Sequence, residues 1–311
     1  MATVQNNNLK GLDLPVWEML QSIPATTGAG MVLAADERGT NRYIYALLST
    51  TSFWRYCVWS NTWQQLASPP VGAVGAGTAM VVDPSRGAAG YVWAYINNGT
   101  TAGFAYYDVA VNAWTSKSVT GLPVINTDAS LSHTCTQYNA AGNDDFLYLI
   151  GGNTAGLYRY SISGNTWASL TAAAATASAG CQLQWMPGWN TDRLVRVRGG
   201  GSAALDYYSI SGNAWTTLTY NPSTEGFTTG TYLARGRGDG GFYIQKDSSM
   251  RVYDMDLNAL TLTPQATQYV MGSSTAVVGN RMVYVKTPDG VEFLYVGLHS
   301  SSGFLRTPIY F

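Results

Sequence analysis

The sequence predicts an all-β fold, and three observations support this prediction. The first is a tetrad that recurs along the chain: Ser60-Asn61-Thr62-Trp63, Val111-Asn112-Ala113-Trp114, Gly164-Asn165-Thr166-Trp167 and Gly212-Asn213-Ala214-Trp215. The second is a tyrosine seven residues before each of these tryptophans. The third is that Gly-, Asn- and Ser-rich turns separate short apolar or alternating runs, without a helical period. Together they indicate a repeat of about 50 residues made of short strands.

The third repeat shows how one unit is organised. Residues 132–138, 146–150, 156–162 and 167–170 are expected to form four strands, which we letter a to d. Four-stranded units at this period predict a β-propeller, in which each repeat is one blade.

The tetrad has a clear physical purpose in such a blade. Asn and Gly tolerate the positive φ that a tight hairpin between strands c and d requires. The tryptophan then opens strand d, where its ring can fill the wedge between blades, and the tyrosine on strand c packs near it. The expected framework residues are therefore Trp63, Trp114, Trp167 and Trp215 with Tyr56, Tyr107, Tyr160 and Tyr208. Leu257-Asn258-Ala259-Leu260, with Tyr253 before it, is expected to be a degenerate fifth copy.

The two ends of the sequence predict the number of blades. Residues 293–297 match 146–150 in type, and 303–309 match 156–162, so the chain should end after strand c of a sixth unit. Residues 16–20 match 62–66 and place Trp17 in the position of Trp63. We therefore predict a six-bladed propeller of four-stranded antiparallel blades, closed by an N-terminal strand that completes the last blade.

This prediction divides the chain into a flexible N-terminal arm, residues 1–11, and a single propeller, residues 12–311. The closing strand d of blade 6 should lie within 12–24. The six blades should span about 28–70, 75–122, 130–171, 178–219, 228–264 and 280–311.

The repeat pattern resembles that of the kelch family. Kelch units carry a glycine doublet after strand b, then a tyrosine, then an Asn-x-Trp ending. The doublet occurs in this chain at Gly151-Gly152 and Gly199-Gly200, so the resemblance is degenerate although it covers nearly the whole chain. It implies the propeller fold. It implies no single function, because kelch-like propellers bind proteins, bind sugars, catalyse or support.

The composition excludes several partners. The chain is 46% hydrophobic and 13% aromatic, but only 11% charged, with a net charge of -1. There is no basic field to attract nucleic acid or anionic lipid. The first ten residues lack the apolar core of a secretory signal, and no apolar stretch reaches membrane-spanning length. We expect a virion or cytoplasmic location without membrane insertion.

No residue set in the sequence predicts chemistry. The two histidines, His133 and His299, and the three widely spaced cysteines do not form a metal-binding pattern. The repeat endings lack the aspartate of the sialidase box. A kelch-like copper oxidase would need a Tyr/His/His/Cys site, which the number and placement of the two histidines do not favour. We expect no catalytic residues, no metal, no cofactor and no enzymatic activity.

Two patterns on the expected a–b hairpins could mark a binding surface. Each hairpin carries an aspartate, which predicts either an acidic ring or local hydrogen bonding in turns: Asp36, Asp83, Asp144 and Asp145, Asp192, Asp239 and Asp289. Trp185 and Trp189 in blade 4, with Arg235 and Arg237 in blade 5, form a candidate patch for a sugar or a protein. The alternative is that Trp185 belongs to the core between blades and Trp189 covers it.

We therefore expect a non-enzymatic structural or docking propeller of a larger assembly. The weakly charged surface, rich in Tyr, Ser, Thr and Asn, is typical of virion proteins of tailed phages, in tail, nozzle, fibre or capsid-associated roles. The expected partners are other proteins of the assembly, including further copies of the chain. The alternative is a carbohydrate-binding adhesin or lectin for a cell-surface glycan, and the third hypothesis is a glycosidase- or oxidase-like enzyme.

Overall fold

The computed structural model describes residues 17–25, 27–28, 30–48, 52–70, 74–97, 100–125, 127–134, 145–186, 188–228, 231–236, 240–246, 251–265, 281–298 and 301–309. Within these ranges there are 24 strands and no helix. The strands form six antiparallel four-stranded sheets. No helix in the described part of the chain could cross a membrane.

Each sheet is one blade, with its strands in the order a to d. Blade 1 contains β2 (Val32–Asp36), β3 (Tyr43–Leu47), β4 (Phe53–Cys57) and β5 (Thr62–Leu66). Blade 2 contains β6 (Ala79–Asp83), β7 (Tyr91–Asn97), β8 (Ala102–Asp108) and β9 (Ala113–Lys117). Blade 3 contains β10 (Ser130–His133), β11 (Phe146–Ile150), β12 (Leu157–Ser161) and β13 (Thr166–Ser169).

The other three blades follow the same order. Blade 4 contains β14 (Gln182–Trp185), β15 (Arg193–Val197), β16 (Leu205–Ser209) and β17 (Ala214–Leu218). Blade 5 contains β18 (Tyr232–Arg235), β19 (Gly241–Lys246), β20 (Arg251–Asp256) and β21 (Thr261–Pro264). Blade 6 contains β22 (Arg281–Lys286), β23 (Glu292–Gly297) and β24 (Phe304–Pro308), and its strand d is β1 (Glu18–Met19).

The blades form a closed ring, because each strand a packs against the strand a of both neighbouring blades, β22 against β2 included. β1 pairs with β24 in the register Glu18↔Arg306 and Met19↔Leu305. Trp17 is buried in the core of blades 5 and 6. The predicted six-bladed propeller and its closure by the N-terminal strand are confirmed.

The strand directions define two faces of the ring. Strands alternate in direction, so all a–b and c–d hairpins lie on one face, which we call the hairpin face. The b–c turns and the links between blades lie on the opposite face, which we call the linker face.

Each hydrophobic core lies between two blades. At the junction of blades 6 and 1, for example, Tyr56 and Trp63 both contact the ring of Phe304, with centroids 4.9 and 5.1 Å apart.

In blades 1 to 4 the tetrad joins the blade to the preceding one through a clamp. Asn61 Oδ1 accepts hydrogen bonds from the Tyr56 hydroxyl at 2.8 Å and from the amide of Gln21 at 2.9 Å, while Trp63 Nε1 donates to the carbonyl of Gln21 at 3.0 Å. Gln21 follows strand d of blade 6. Each clamp therefore holds both backbone groups of the residue through which the chain leaves the previous blade.

Three further clamps repeat this geometry. They consist of Asn112, Tyr107 and Trp114 on Ala67; Asn165, Tyr160 and Trp167 on Ser118; and Asn213, Tyr208 and Trp215 on Thr171. All four clamp asparagines have a positive φ, between 47° and 53°. Asparagine tolerates this conformation better than other side chains do.

The predicted register of the fifth copy is wrong by two residues. Leu260 has the positive φ of 54° that the clamp asparagines have, and Met255 pairs with Leu262 where tyrosine and tryptophan pair elsewhere. Tyr253 pairs with Pro264 and is a buried core residue, but it is not the clamp tyrosine. Asn258 lies earlier in the turn. Blade 5 keeps the shape of the hairpin, but Met255, Leu260 and Leu262 replace the tyrosine, asparagine and tryptophan of a clamp.

The junction of blades 4 and 5 is held by backbone atoms in place of a clamp. The amide of Asn221 donates to the carbonyl of Leu260, and the amide of Leu262 donates to the carbonyl of Asn221, both at 3.0 Å. The Asn221–Pro222 peptide bond is cis.

Strand a of blade 3 was predicted to begin at residue 132, whereas β10 spans Ser130–His133, and residues 135–138 of the predicted strand lie outside the described residues. The hydroxyls of Ser130 and Ser132 fix its position, because they hydrogen-bond to the inner edge of blade 4. The predicted N-terminal arm, residues 1–11, lies outside the described residues.

Candidate functional site

The three described residues of the predicted patch, Trp185, Trp189 and Arg235, do not share one surface. Trp185 is only 1% exposed, and its indole Nε1 donates to the carbonyl of Thr191 at 2.9 Å. It packs in the core between blades 3 and 4. The alternative prediction, that Trp185 belongs to the core between blades, therefore describes this residue.

Trp189 is half-buried on the hairpin face of blade 4. The guanidinium of Arg193 lies over its ring at 4.5 Å and over the ring of Tyr207 at 4.2 Å. The Cβ of Trp189 approaches Gly240 of blade 5 so closely that a Cβ at Gly240 would lie 3.1 Å from it. Arg193 thus occupies one face of the Trp189 ring, so a sugar cannot stack on that face.

The one arginine of the patch that the structure describes lies elsewhere. Arg235 ends β18 and lines a cavity on the ring axis. Arg237 lies outside the described residues. Trp189 and Arg235 therefore lie in two separate places. Trp189 is half-buried on the hairpin face of blade 4, and Arg235 lines the axial cavity.

Three of the described aspartates of the a–b hairpins, Asp36, Asp145 and Asp192, accept hydrogen bonds from side chains of their own blade. Asp36 accepts from Nε and Nη2 of Arg38, at 2.8 and 2.7 Å. Asp192 accepts from the hydroxyls of Ser209 and Ser211, at 2.7 and 2.9 Å. Burial alone would raise the pKa of Asp192. The hydrogen bonds outweigh burial and hold this pKa below its ordinary value.

Asp145 has the same arrangement in blade 3, with the hydroxyls of Ser161 and Ser163 at 2.9 and 2.8 Å. These contacts favour local turn bonding over an acidic ring for Asp36, Asp145 and Asp192. Asp144 and Asp239 lie outside the described residues.

A buried cluster surrounds Asp83 between blades 2 and 3. Its carboxylate accepts from Trp93 Nε1 at 3.2 Å and from the Ser85 hydroxyl at 2.6 Å. His133 Nε2 lies 3.6 Å from Oδ2, and Arg86 Nε lies 3.3 Å from it. Four groups of differing chemistry thus converge on one carboxylate that is fully shielded from solvent.

The axial cavity has a volume of about 170 Å³ and is lined by strand a of all six blades. It reaches the hairpin face at Glu37, Pro84 and Arg235, which are half-buried. Toward the linker face, Arg281 of blade 6 lies 3.7 Å from Asp128 of blade 3, the blade opposite in the ring.

This ion pair forms a plug across the axis. Arg281 is 3% exposed and Asp128 is 6% exposed. The second carboxylate oxygen of Asp128 accepts the amide of Gly180 at 2.7 Å, and the Arg281 guanidinium lies 5.1 Å from the ring of Tyr232. Blades 3, 4, 5 and 6 therefore meet at the plug, and the cavity opens on the hairpin face.

An apolar rim on blades 6, 1 and 2, formed by Met19, Trp59 and Val111, was not predicted from the sequence. Trp59 is 79% exposed, Val111 66% and Met19 49%. Met19 and Trp59 each lie two residues from the hydrogen bond between Gln21 and Asn61, and Val111 directly precedes a clamp asparagine. The available signal was a large aromatic residue at the tip of a tight turn, a position that offers little burial.

A row of side-chain stacks between strands b and c was not predicted either. Arg55 covers Tyr43 at 4.4 Å, Tyr91 stacks on Tyr106 at 4.3 Å, Arg159 covers Phe146 at 4.3 Å, and Arg306 covers Phe293 at 4.7 Å. Arg193 and Tyr207 occupy the same register in blade 4. All these side chains are half-buried. The register that aligns them depends on the strand pairing, which the sequence alone does not specify.

No group of three or more His, Cys, Asp or Glu side chains that could hold a metal occurs in the described part of the chain.

No family model matches the chain, and no curated protein matches it. Its fold is similar to those of 1115 solved chains. One is a structural genomics protein of unknown function from Bacteroides thetaiotaomicron, 12% identical, with a TM-score of 0.63 over 94% of this chain and 75% of that one. This similarity supports the propeller fold alone.

Proposed function

We propose that the chain is a non-enzymatic docking propeller of a larger assembly, and that it attaches to a partner protein of that assembly through the apolar rim. The observation that carries this proposal is the 79% exposure of Trp59. An exposed tryptophan is the residue type that most often dominates the binding energy of an interface. The fixed turn beneath it also reduces the ordering cost of docking.

The finer proposal is that the assembly is a virion, with the chain in a tail, nozzle, fibre or capsid-associated role, and that its repeats are degenerate kelch repeats. The polar, weakly charged composition supports the first part, and the Asn-x-Trp endings support the second. The rim suits a partner with an apolar pocket, because Met19, Trp59 and Val111 present little charge for an ionic partner.

Mass spectrometry of purified particles from the source tests the assembly role. We expect the chain in a fixed molar ratio to the other particle proteins. Its absence from every purified particle would contradict the proposal.

Incorporation of variants tests the rim. Trp59→Ala should lower incorporation into particles at least about tenfold, since truncating a hot-spot tryptophan commonly costs about 2 kcal/mol or more. Thr216→Ala is the matched control, because Thr216 is exposed on the opposite blade, and it should incorporate like the unaltered chain. Equal incorporation of both variants would remove the rim from the proposal.

A carbohydrate-binding propeller is the second proposal, and the half-buried stacks between strands b and c favour it. The stacked pair Tyr91 and Tyr106, with Lys117 Nζ 5.3 Å from the centroid of the Tyr106 ring, places a hydrogen-bond donor beside aromatic surface, a combination that suits the edge of a sugar ring. A glycan array tests this proposal: binding that Tyr106→Ala abolishes would support it, and an array without signal would contradict it.

A further inference from the structure

The wall of the axial cavity consists largely of strand edges. Strand a is the innermost strand of each blade, so it pairs with strand b on one side only. Every second residue of an edge strand therefore directs its N–H and C=O toward the axis. Buried backbone groups of this kind almost always have a hydrogen-bonding partner.

Blade 4 shows which residues these are and how the chain can satisfy them. The hydroxyl of Ser130 donates to the carbonyl of Leu183 at 3.1 Å and accepts its amide at 2.9 Å, and the hydroxyl of Ser132 accepts the amide of Trp185 at 2.9 Å. Two serines of blade 3 thus cap the inner edge of blade 4.

The same edge positions in blades 2 and 3 lack such caps. Met80 and Leu131 correspond to Leu183, since each is the second residue of its strand a. The positions corresponding to Ser130 and Ser132 hold Val32 and Ala34 beside blade 2, and Ala79 and Val81 beside blade 3. These side chains cannot form hydrogen bonds. Within the described residues, no side chain bonds to the backbone of Met80 or Leu131.

The charges around the cavity balance, because the lining carboxylate of Asp36 is paired with Arg38 at 2.7 Å. Glu37 and Arg235 lie at its open end, and Arg281 is paired with Asp128 at its closed end. A cavity of about 170 Å³ holds about five or six waters at ~30 Å³ each, which is room for a ring of about six heavy atoms, and the opening on the hairpin face leaves space for the ring's substituents. Uncapped donors and acceptors, without net charge, suit hydroxyl groups, because each hydroxyl can both donate and accept.

We propose that the axial cavity binds a small neutral polyol of monosaccharide size, which enters from the hairpin face and hydrogen-bonds to the inner edges of blades 2 and 3. The Arg281–Asp128 plug sets the depth that the polyol reaches. This site is separate from the apolar rim and does not depend on the docking role.

Capping the uncapped edge provides the test. Ala79→Ser with Val81→Ser places on blade 2 the serine pair that blade 3 carries. In ligand-observed NMR with glucose, galactose and myo-inositol as probes, we expect at least one to bind the unaltered chain. The serine pair should weaken that binding about fivefold or more, the equivalent of roughly 1 kcal/mol for one lost neutral hydrogen bond.

Two controls separate this site from others. Ala168→Ser makes the same chemical change on an outermost strand and should leave polyol binding unchanged. Trp59→Ala alters the rim and should also leave it unchanged. Failure of all three probes to bind, or binding that the serine pair does not alter, would overturn the proposal.

A second measurement uses the unaltered chain, so it does not depend on the folding of a variant. Titration of the chain with the probe that binds should shift the backbone amide resonances of Met80 and Leu131 more than those of residues in strand d of any blade. Shifts confined to strands c and d would overturn the proposal.

Discussion

Each clamp asparagine combines a backbone role with a side-chain role. At Asn165, a φ of 50° turns the chain between strands c and d, and the side-chain oxygen holds the Tyr160 hydroxyl and the amide of Ser118. Tyr160 is fully buried, and burial raises its pKa to about 12. Its hydroxyl stays protonated at neutral pH and donates to Asn165.

Asn165→Ala should lower the free energy of unfolding by about 2–4 kcal/mol. Part of this loss is the unsatisfied buried hydroxyl of Tyr160, about 1–3 kcal/mol, and part is the strain of alanine at positive φ, about 1 kcal/mol. Asn258→Ala is the matched control, because the positive φ of the fifth turn falls on Leu260 and not on Asn258, so alanine brings no backbone strain there, and it should cost below about 1 kcal/mol. Urea unfolding measures both. Equal losses would contradict the clamp.

The buried carboxylate of Asp206 makes stability depend on acid pH. Burial alone would raise its pKa, but hydrogen bonds from Arg198 and Arg196, at 2.6 and 2.5 Å, outweigh burial and lower it. A carboxyl with a lowered folded pKa contributes stability above its unfolded pKa, about 3.9, and loses this contribution as the pH falls through the folded pKa.

Asp206→Asn should therefore flatten the decline of unfolding free energy below about pH 4. At pH 7 it should cost about 3–5 kcal/mol, because Arg196 keeps a buried charge without its carboxylate. Urea unfolding of both chains between pH 7 and pH 3 gives the two profiles. Parallel profiles would show that Asp206 does not carry the acid dependence.

At the scale of the strand, the sequence predicts best where a blade repeats its neighbour. Trp17 could be placed in strand d of blade 6 because its spacing to Trp63 equals a repeat, and β1 forms there. The predicted register of the fifth copy was wrong because Asn258 matches the tetrad in residue type, whereas the backbone has its positive φ at Leu260. Spacing indicates that a hairpin exists, but a two-residue slip changes which side chains reach the neighbouring blade.

The candidate sites could be predicted much less well than the strands. Trp185 and Trp189 are four residues apart in one hairpin, yet one is buried in a core and the other is covered by Arg193. Trp59 lies two residues after the end of strand c of blade 1, and its exposure depends on the direction of the turn. The axial cavity depends on backbone edges, which leave no residue pattern.

Two tryptophans make a matched test of closure by β1. Trp17→Ala should lower the free energy of unfolding by about 3–5 kcal/mol, because it empties a core position between blades 5 and 6. Trp59→Ala should change it by less than about 0.5 kcal/mol, because Trp59 is largely exposed. Thermal and urea unfolding compare the two. A small effect of Trp17→Ala would mean that β1 contributes little to the ring.

At the scale of the whole molecule, the ring is a repeat with one irregular junction among those described. Four junctions, from blade 6 to blade 4, are held by Asn–Tyr–Trp clamps, whereas blades 4 and 5 are joined through the backbone of Asn221. Closure matters because a ring without β1 would expose the edge of β24 and the cores beside it. The framework residues therefore stabilise the ring, and the proposed functions use the rim and the axis.

The thermal unfolding of a chain that lacks residues 1–21 tests most directly whether the N-terminal strand closes the ring. We predict that the melting temperature of the whole ring falls by about 10 °C or more, since the deletion removes β1, Trp17 and Leu20 from two cores. A truncated chain that remains soluble and melts within about one degree of the full chain would contradict closure by this strand.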